Sequence, residues 1–316
     1  MRRSARRTLQ AYIEYTTPGW KASRIHREIC EALDGVLLRQ IDRLLITCPP
    51  QHGKSVAASK RFPAFALGHD PATDIISCSA TQLLAAEFGR DTRNCVDSTE
   101  HQVLFPGSEL AADSQAKGRW NTTEGGGYYA IGVGGALMGR GAQIGLIDDP
   151  YATWEEGQSE SVRESVWDWY TGTFYNRIRP GGAIVVIHHR MAEDDLAGRL
   201  IEKMKDGSGD KWHIVEIAAD LENPPWPERY DRAALERIKA VSGARKWSAL
   251  YMQQPTPSEG TYFKREWFRR YTPEMLPRAL HRYITSDHAP AGGESNDFNC
   301  VRVWGLNGDD VYLLDG

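Results

Sequence analysis

Short unbroken apolar runs alternate along the chain with longer stretches in which apolar residues recur every three to four positions. Four runs stand out, at residues 44–48, 74–78, 144–148 and 183–187. A strand with one wet face alternates apolar and polar residues. Runs lacking that alternation predict strands buried on both faces, as in a parallel sheet. Helical stretches lie between them. Residues 55–67 predict a helix kinked at Pro63, which has no amide hydrogen and crowds the preceding turn. Residues 81–96 place Leu84 and Phe88 around successive turns. Residues 159–178 set Val162, Val166, Trp169 and Tyr170 at i, i+4, i+7 and i+8, an apolar stripe facing a core. This order of elements predicts an α/β fold with a mainly parallel sheet.

The pattern changes at residues 253–260, where Pro255, Pro257 and Gly260 predict a linker, followed by an aromatic and basic stretch over 262–271. Runs at 282–287, 300–304 and 311–314 then read as consecutive strands. Asn307-Gly308, between the last two, is a hairpin signal. The expected organisation is one large α/β domain over residues 1–254, a linker region over 255–281 and the start of a second, antiparallel fold over 282–316. Internal repeats and low-complexity blocks are lacking.

Composition narrows the function. The 316 residues carry 38 Lys+Arg against 42 Asp+Glu, a net charge of −4. A uniformly basic nucleic-acid binder is excluded, so any DNA contact must be local. Candidates are Arg90 and Arg93, Lys117 and Arg119, and the basic residues of 264–270; each alone also reads as a solvated surface charge. Arg2, Arg3, Arg6 and Arg7 read either as a polyanion contact or as a solvated tail. The apolar runs fall far short of the roughly 18 residues of a membrane span. The five cysteines, Cys30, Cys48, Cys78, Cys95 and Cys300, have no metal-ligand spacing and read as buried small hydrophobes of a reducing compartment.

Candidate chemistry concentrates in two segments. Residues 48–55 follow a buried strand, open a helix and end in Gly53, Lys54 and Ser55, the close of a phosphate-binding loop. Such a loop needs backbone amides at a helix start to cradle oxyanions, a cation for the outer phosphates, and a hydroxyl for Mg²⁺. Gln51 and His52 lie inside it. Cys48 stands where the first glycine of the motif belongs, and Pro49 and Pro50 follow. The second segment is the apolar run ending in Asp148-Asp149-Pro150. There Asp148 can hold the metal through its water shell and Asp149 can polarise an attacking water. The alternative is a plain turn into Pro150.

These residues resemble the large terminase subunits of tailed bacteriophages. The likeness is carried by 49–55, by 134–142 running into 146–150, by 166–170, 193–200, 247–251 and 263–268, in that order. The resemblance implies a P-loop NTPase domain followed by the beginning of a ribonuclease-H-like nuclease domain. It implies an ATP-driven motor that moves duplex DNA into a procapsid, with an endonuclease that cuts concatemeric DNA. It further implies ATP and Mg²⁺ at one site and Mg²⁺ or Mn²⁺ at the other. Its partners would be double-stranded DNA, a portal protein, a small terminase subunit and further copies of the chain in a ring, in the cytoplasm of an infected bacterial host.

Position by position, Gln51, His52, Gly53, Lys54 and Ser55 would bind ATP, with Ser55 and Asp148 on the metal and Asp149 on the water. Gln51 replaces an arginine common in the family. Arg140 is a candidate finger reaching a neighbouring subunit's ATP, an effect worth about 10³–10⁵ in rate where such fingers operate; a salt bridge or DNA contact is its other reading. His188-His189-Arg190 departs from the polar run the family carries where hydrolysis is coupled to movement. His188, His189, Asp194 and Asp195 could suggest a metal, but the acid pair reads better as the first turn of a helix. Trp20 and His26 match the region near the adenine base, Trp20 reading also as packing. In the second domain Asp287 and Asp297 would bind metal, with Asp287 catalytic, while Asp309, Asp310 and Asp315 read as structural. With no acids on later strands, the nuclease is expected to be incomplete. Two other functions fit the residues: a helicase- or repair-type ATPase acting on DNA, and a nucleotide-binding scaffold with a degenerate loop.

Overall fold

The apolar runs become neighbouring strands of one eight-stranded sheet. A computed structural model describes residues 2–137, 139, 141–256, 268–287, 300–308 and 310–315. The chain divides into two compact units, Met1–Thr261 and Tyr262–Gly316. In the first, the strands are β1 (Arg43–Thr47), β2 (Asp74–Ser79), β3 (Leu110–Ala116), β4 (Arg119–Thr122), β5 (Gly127–Gly132), β6 (Ala142–Asp148), β7 (Ile178–His188) and β8 (His213–Glu216). They lie in the order β3-β4-β5-β2-β6-β7-β1-β8. All pairs from β5 to β8 are parallel, while β3/β4 and β4/β5 are antiparallel. The expected α/β class with a mainly parallel sheet is what the chain adopts.

Successive residues of the central strands feed opposite cores, which is why their runs are unbroken. Leu44 and Ile46, Leu146, and Val185 and Ile187 pack with Ile29, Leu33, Phe62 and Phe65 on one face. Leu45, Ile147, and Ile184 and Val186 pack with Trp169, Phe174, Leu196 and Leu200 on the other. Each fully buried Leu, Ile or Phe contributes about 1.5–3 kcal/mol.

Four local expectations change. Residues 56–61 form a π-helix, and an α-helix restarts as Phe62–His69 with Pro63 in its first turn. Lacking an amide hydrogen, Pro63 is tolerated at a helix start but not inside one, so the widened turn falls before it. The stretch 159–178 is α-helix only over Glu160–Trp169; a π turn, a 3-10 turn and the first residue of β7 complete it. The arginine-rich N-terminus opens in a helix, Arg2–Ala5, in which Ala5 is buried while Arg2, Arg3, Arg6 and Arg7 stay exposed. The antiparallel edge β3–β5 was not expected. It is anchored by Trp120 and Tyr128, stacked 5.3 Å apart and fully buried. Of the five free cysteines, four are buried and Cys300 is half-buried. Among the described residues, no helix is long and apolar enough to cross a membrane.

The second unit is a three-stranded antiparallel sheet of β9 (His281–Asp287), β10 (Cys300–Asn307) and β11 (Asp310–Asp315), in the order β11-β10-β9. Asn307 pairs with Asp310, and Gly308 takes φ +59°, as a tight hairpin requires. Asp310 and Asp315 are the first and last residues of β11.

Gly145 in β6 is a point of close approach. A Cβ there would lie 2.5 Å from Ile178 Cδ1 and 2.6 Å from Phe174 Cζ. Gly145→Ala is expected to lower the unfolding free energy by about 1–3 kcal/mol. Phe174→Leu should recover part of that loss in the double variant. Urea unfolding of the four proteins checks this, and strict additivity would contradict the contact.

Candidate active site

Strand order brings the chemistry together. β7 lies between β1 and β6, with Thr47 opposite His188 and Asp148 opposite Ile187. Two backbone bonds extend this register past the strand ends. Cys48 N–H donates to His188 O at 3.2 Å, and Asp149 N–H to Ile187 O at 2.9 Å. The loop 48–55, the acid pair and residues 188–190 therefore leave the same edge of the sheet side by side. Carboxyl ends of parallel strands are where open α/β sheets bind ligands.

The loop is shaped for anions by its backbone. Gln51 and Gly53 take φ of +58° and +80°, and turns of this kind gather amides into a concavity. Pro49 and Pro50 have no amide hydrogen, so the donors begin at Gln51. Glycine is required at 53 on two counts: the positive φ, and a Cβ that would fall 2.5 Å from His26 Nε2. His26 is set in place by Ser23, whose N–H donates to His26 Nδ1 at 3.0 Å, and by the rings of Trp20 and Trp226. Burial takes its imidazole down to about 4, so it is neutral. His52 donates from Nδ1 to Pro50 O at 2.8 Å and stacks on Tyr230 at 4.4 Å.

Lys54 closes the loop inward. Its ammonium, 4% exposed, lies 2.8 Å from Asp149 Oδ1 and 2.9 Å from His189 Nδ1. Burial opposes the charge, but Asp149 outweighs it and Lys54 stays protonated. The two acids behave oppositely. Asp148 Oδ2 accepts from Ser59 Oγ at 2.6 Å, while its buried Oδ1 has no hydrogen-bond partner among the described residues. Burial, then the neighbouring Asp149 charge, raises Asp148 to about 6; the Lys54 charge, then Ser59 and Ser55, work against that rise. Burial also works to raise Asp149, but His189, Lys54 and His188 outweigh it and hold the carboxyl well below its usual range. Asp149 sits at φ +44°, a left-handed conformation that aspartate tolerates better than most residues.

His188 and Asp195 continue the network inward. His188 Nδ1 is 3.5 Å from Asp149 Oδ1, and its Nε2 is 3.5 Å from Asp195 Oδ2. Asp195 is fully buried and caps the helix Leu196–Lys205 by accepting from Gly198 N–H at 2.9 Å. It also accepts from Arg190 Nε at 3.0 Å and Met191 N–H at 2.8 Å. Asp194 pairs with Arg163 at 2.8 Å. The acid pair is thus the helix start that the sequence suggested. Donor atoms of Asp149, His188 and His189 do lie within 4.8 Å of one another. The cation shared there by Asp149 and His189 is the Lys54 ammonium.

Gln51, His52, Gly53, Lys54, Ser55, Asp148 and Asp149 are therefore assembled in one place. Arg140, Asp297 and Asp309 lie outside the described residues. Asp287 ends β9 in the second unit, its backbone paired with Cys300. The sequence reading missed Ser59, Trp226 and Tyr230. Ser59 lies four residues after Ser55, a helix-face spacing that could have pointed to it. Tyr230, far along the chain, offered no signal.

A family model described as terminase large subunit, T4likevirus-type, N-terminal, matches residues 45–270. Two solved structures are similar in fold. The ATPase domain of the large terminase of Thermus phage P74-26 aligns at TM-score 0.54 and 15% identity, over 78% of this chain and 98% of that chain. The HK97 bacteriophage large terminase aligns at TM-score 0.53 and 15% identity, over 98% of this chain and 67% of that one. No curated protein matches the sequence.

The raised Asp148 sets a pH dependence. Its folded value of about 6 lies above that of an unfolded aspartate. The folded state therefore binds more protons, and stability falls as pH rises from about 4 to 6 and stays reduced above. Asp148→Asn removes this penalty. Relative to the parent, it should gain on the order of 1–3 kcal/mol between pH 4 and pH 8. Urea unfolding at the two pH values checks the gain, and an unchanged difference would contradict it.

Proposed function

The chain belongs to the terminase large-subunit family, and from that premise we propose that its first unit is the ATPase of a viral DNA-packaging motor. It hydrolyses ATP and couples the cycle to movement of duplex DNA into a procapsid. One observation carries the reading: the Lys54 cation and the Asp149 carboxylate meet 2.8 Å apart at the ends of β1, β6 and β7, beside a buried Asp148.

Phosphate oxygens approach the amides that begin at Gln51 and compete with Asp149 for the Lys54 ammonium. Drawing Lys54 onto the phosphates releases the Asp149 oxygen toward a water. Asp149 orients that water and accepts its proton as the oxygen attacks the γ-phosphorus and the bond to the bridging oxygen breaks, leaving ADP and phosphate. Mg²⁺ fits the donors present, because Asp148 offers a buried carboxylate oxygen with no hydrogen bond among the described residues, and oxygen is the ligand a hard cation takes. Asp148 and Ser55 would hold it, and when bound it neutralises charge on the phosphate oxygens.

The finer roles extend the same proposal. Arg140 would supply a second cation to a neighbouring subunit's nucleotide in a ring. The ATPase domain would run to about residue 254 and a linker to 281. The segment from 282 would begin a ribonuclease-H-like endonuclease, with Asp287 and Asp297 among its Mg²⁺ or Mn²⁺ ligands. Portal protein, small terminase subunit and duplex DNA would be the partners, in the cytoplasm of an infected bacterial host. A protein of net charge −4 would grip DNA through local arginines.

Lys54→Ala should abolish DNA-stimulated ATP turnover while the thermal unfolding profile remains cooperative. Asp149→Asn should still bind nucleotide and lose turnover by about 10²-fold or more. Undiminished turnover in the first variant would overturn the phosphate-site assignment. Unchanged turnover in the second would overturn the role of Asp149, and nucleotide binding without turnover in the unaltered protein would favour a nucleotide-binding scaffold.

A further inference from the structure

Resting on the reading of Asp149 as the water-orienting acid, we propose that His188 is a positioning residue: a doubly protonated bridge between Asp149 and Asp195. It keeps Asp149 in place when nucleotide draws Lys54 away.

The argument is geometric. His188 is fully buried, and its two ring nitrogens face two different carboxylates, Asp149 through Nδ1 and Asp195 through Nε2, each at 3.5 Å. Neither nitrogen has a hydrogen-bond partner among the described residues, and the two carboxylates stand at ion-pair distance from it. A neutral imidazole carries one N–H and one bare lone pair. In either tautomer the bare nitrogen would point at a carboxylate oxygen. Only the imidazolium presents a proton to both acids.

Charge matching points the same way. When nucleotide draws Lys54 away, Asp149 and Asp195 are left with one permanent cation, Arg190, 7% exposed. A second positive charge between them restores the balance, and a buried charge without a partner is costly. The remaining neighbours supply no alternative. The Tyr151 ring lies 5.5 Å away, with the Tyr151 hydroxyl accepting from Leu196 N–H, and the His189 ring lies at 5.4 Å. Burial would lower His188, but the two carboxylates outweigh it and raise it above the ordinary histidine value. His189 differs: burial lowers it, and Lys54 adds to that. The adjacent histidines thus have separate tasks. His189 shares the Lys54 ammonium and loses that partner when nucleotide binds. His188 is anchored from behind by Asp195, which three backbone amides and Arg190 hold rigidly.

The test reads the ring directly. In ¹⁵N-histidine-labelled protein, with His188 assigned by the signal lost in His188→Gln, long-range ¹H–¹⁵N spectra at pH 7.5 should show both ring nitrogens protonated. The pattern should persist with ADP or a non-hydrolysable ATP analogue. A neutral tautomer in either state overturns the proposal; should His188→Gln not fold, His188→Asn or His188→Lys supplies the assignment. Kinetics supply the second readout. His188→Gln should lower kcat about tenfold or more with KM for ATP little changed, and His188→Lys, which restores a cation, should recover part of the loss. Equal losses in the two variants would make His188 a packing residue only. An absence of ATP turnover in the unaltered protein would sink the ATPase reading and leave the spectrum of His188 to stand on its own.

Discussion

Because β7 lies between β1 and β6, segments separated by about a hundred residues leave the sheet as neighbours. The backbone bonds from Cys48 to His188 and from Asp149 to Ile187 lock that adjacency just past the strand ends. The two buried faces of the same strands hold the platform rigid. The loop, the acids and the two histidines therefore need little adjustment of their own, and preorganisation of this kind is what a site for charged phosphates requires.

The same platform forces acids into a place where they cost stability. Asp148 is raised toward neutrality by burial, while Asp149 is kept ionised by Lys54, His188 and His189. Neighbouring carboxylates with opposed environments acquire different tasks, one suited to a metal and the other to a water. The Lys54–Asp149 pair satisfies both partners in the free protein. On the proposed function, nucleotide would replace that pair rather than simply add to an open site, so binding and the release of Asp149 would be one event.

Much of this was legible in the residues. Unbroken apolar runs identified the parallel strands, because burial on both faces removes alternation. The Gly53-Lys54-Ser55 ending and the Asp148-Asp149 pair singled out two segments that the fold brings side by side, because phosphate chemistry restricts residue type so strongly. The acid pair at 194–195 was recognisable as a helix start. The rest depended on contacts that no local pattern encodes. The stacking of Tyr230 on His52 spans most of the first unit. The edge strands β3–β5 are held by the stacked pair Trp120 and Tyr128. The π turn at 56–61 precedes a helix that restarts with Pro63 in its first turn. His188 and His189 looked like a departure from a family pattern, and only the fold shows that they face Asp149.

The central claim is that nucleotide exchanges the partner of Lys54. A crystal structure of the protein with Mg²⁺ and a non-hydrolysable ATP analogue measures this directly. The account predicts Lys54 Nζ within hydrogen-bond distance of the nucleotide's outer phosphates and no longer at the 2.8 Å it keeps from Asp149 Oδ1 in the free protein. Nucleotide bound elsewhere with the Lys54–Asp149 pair intact would contradict it.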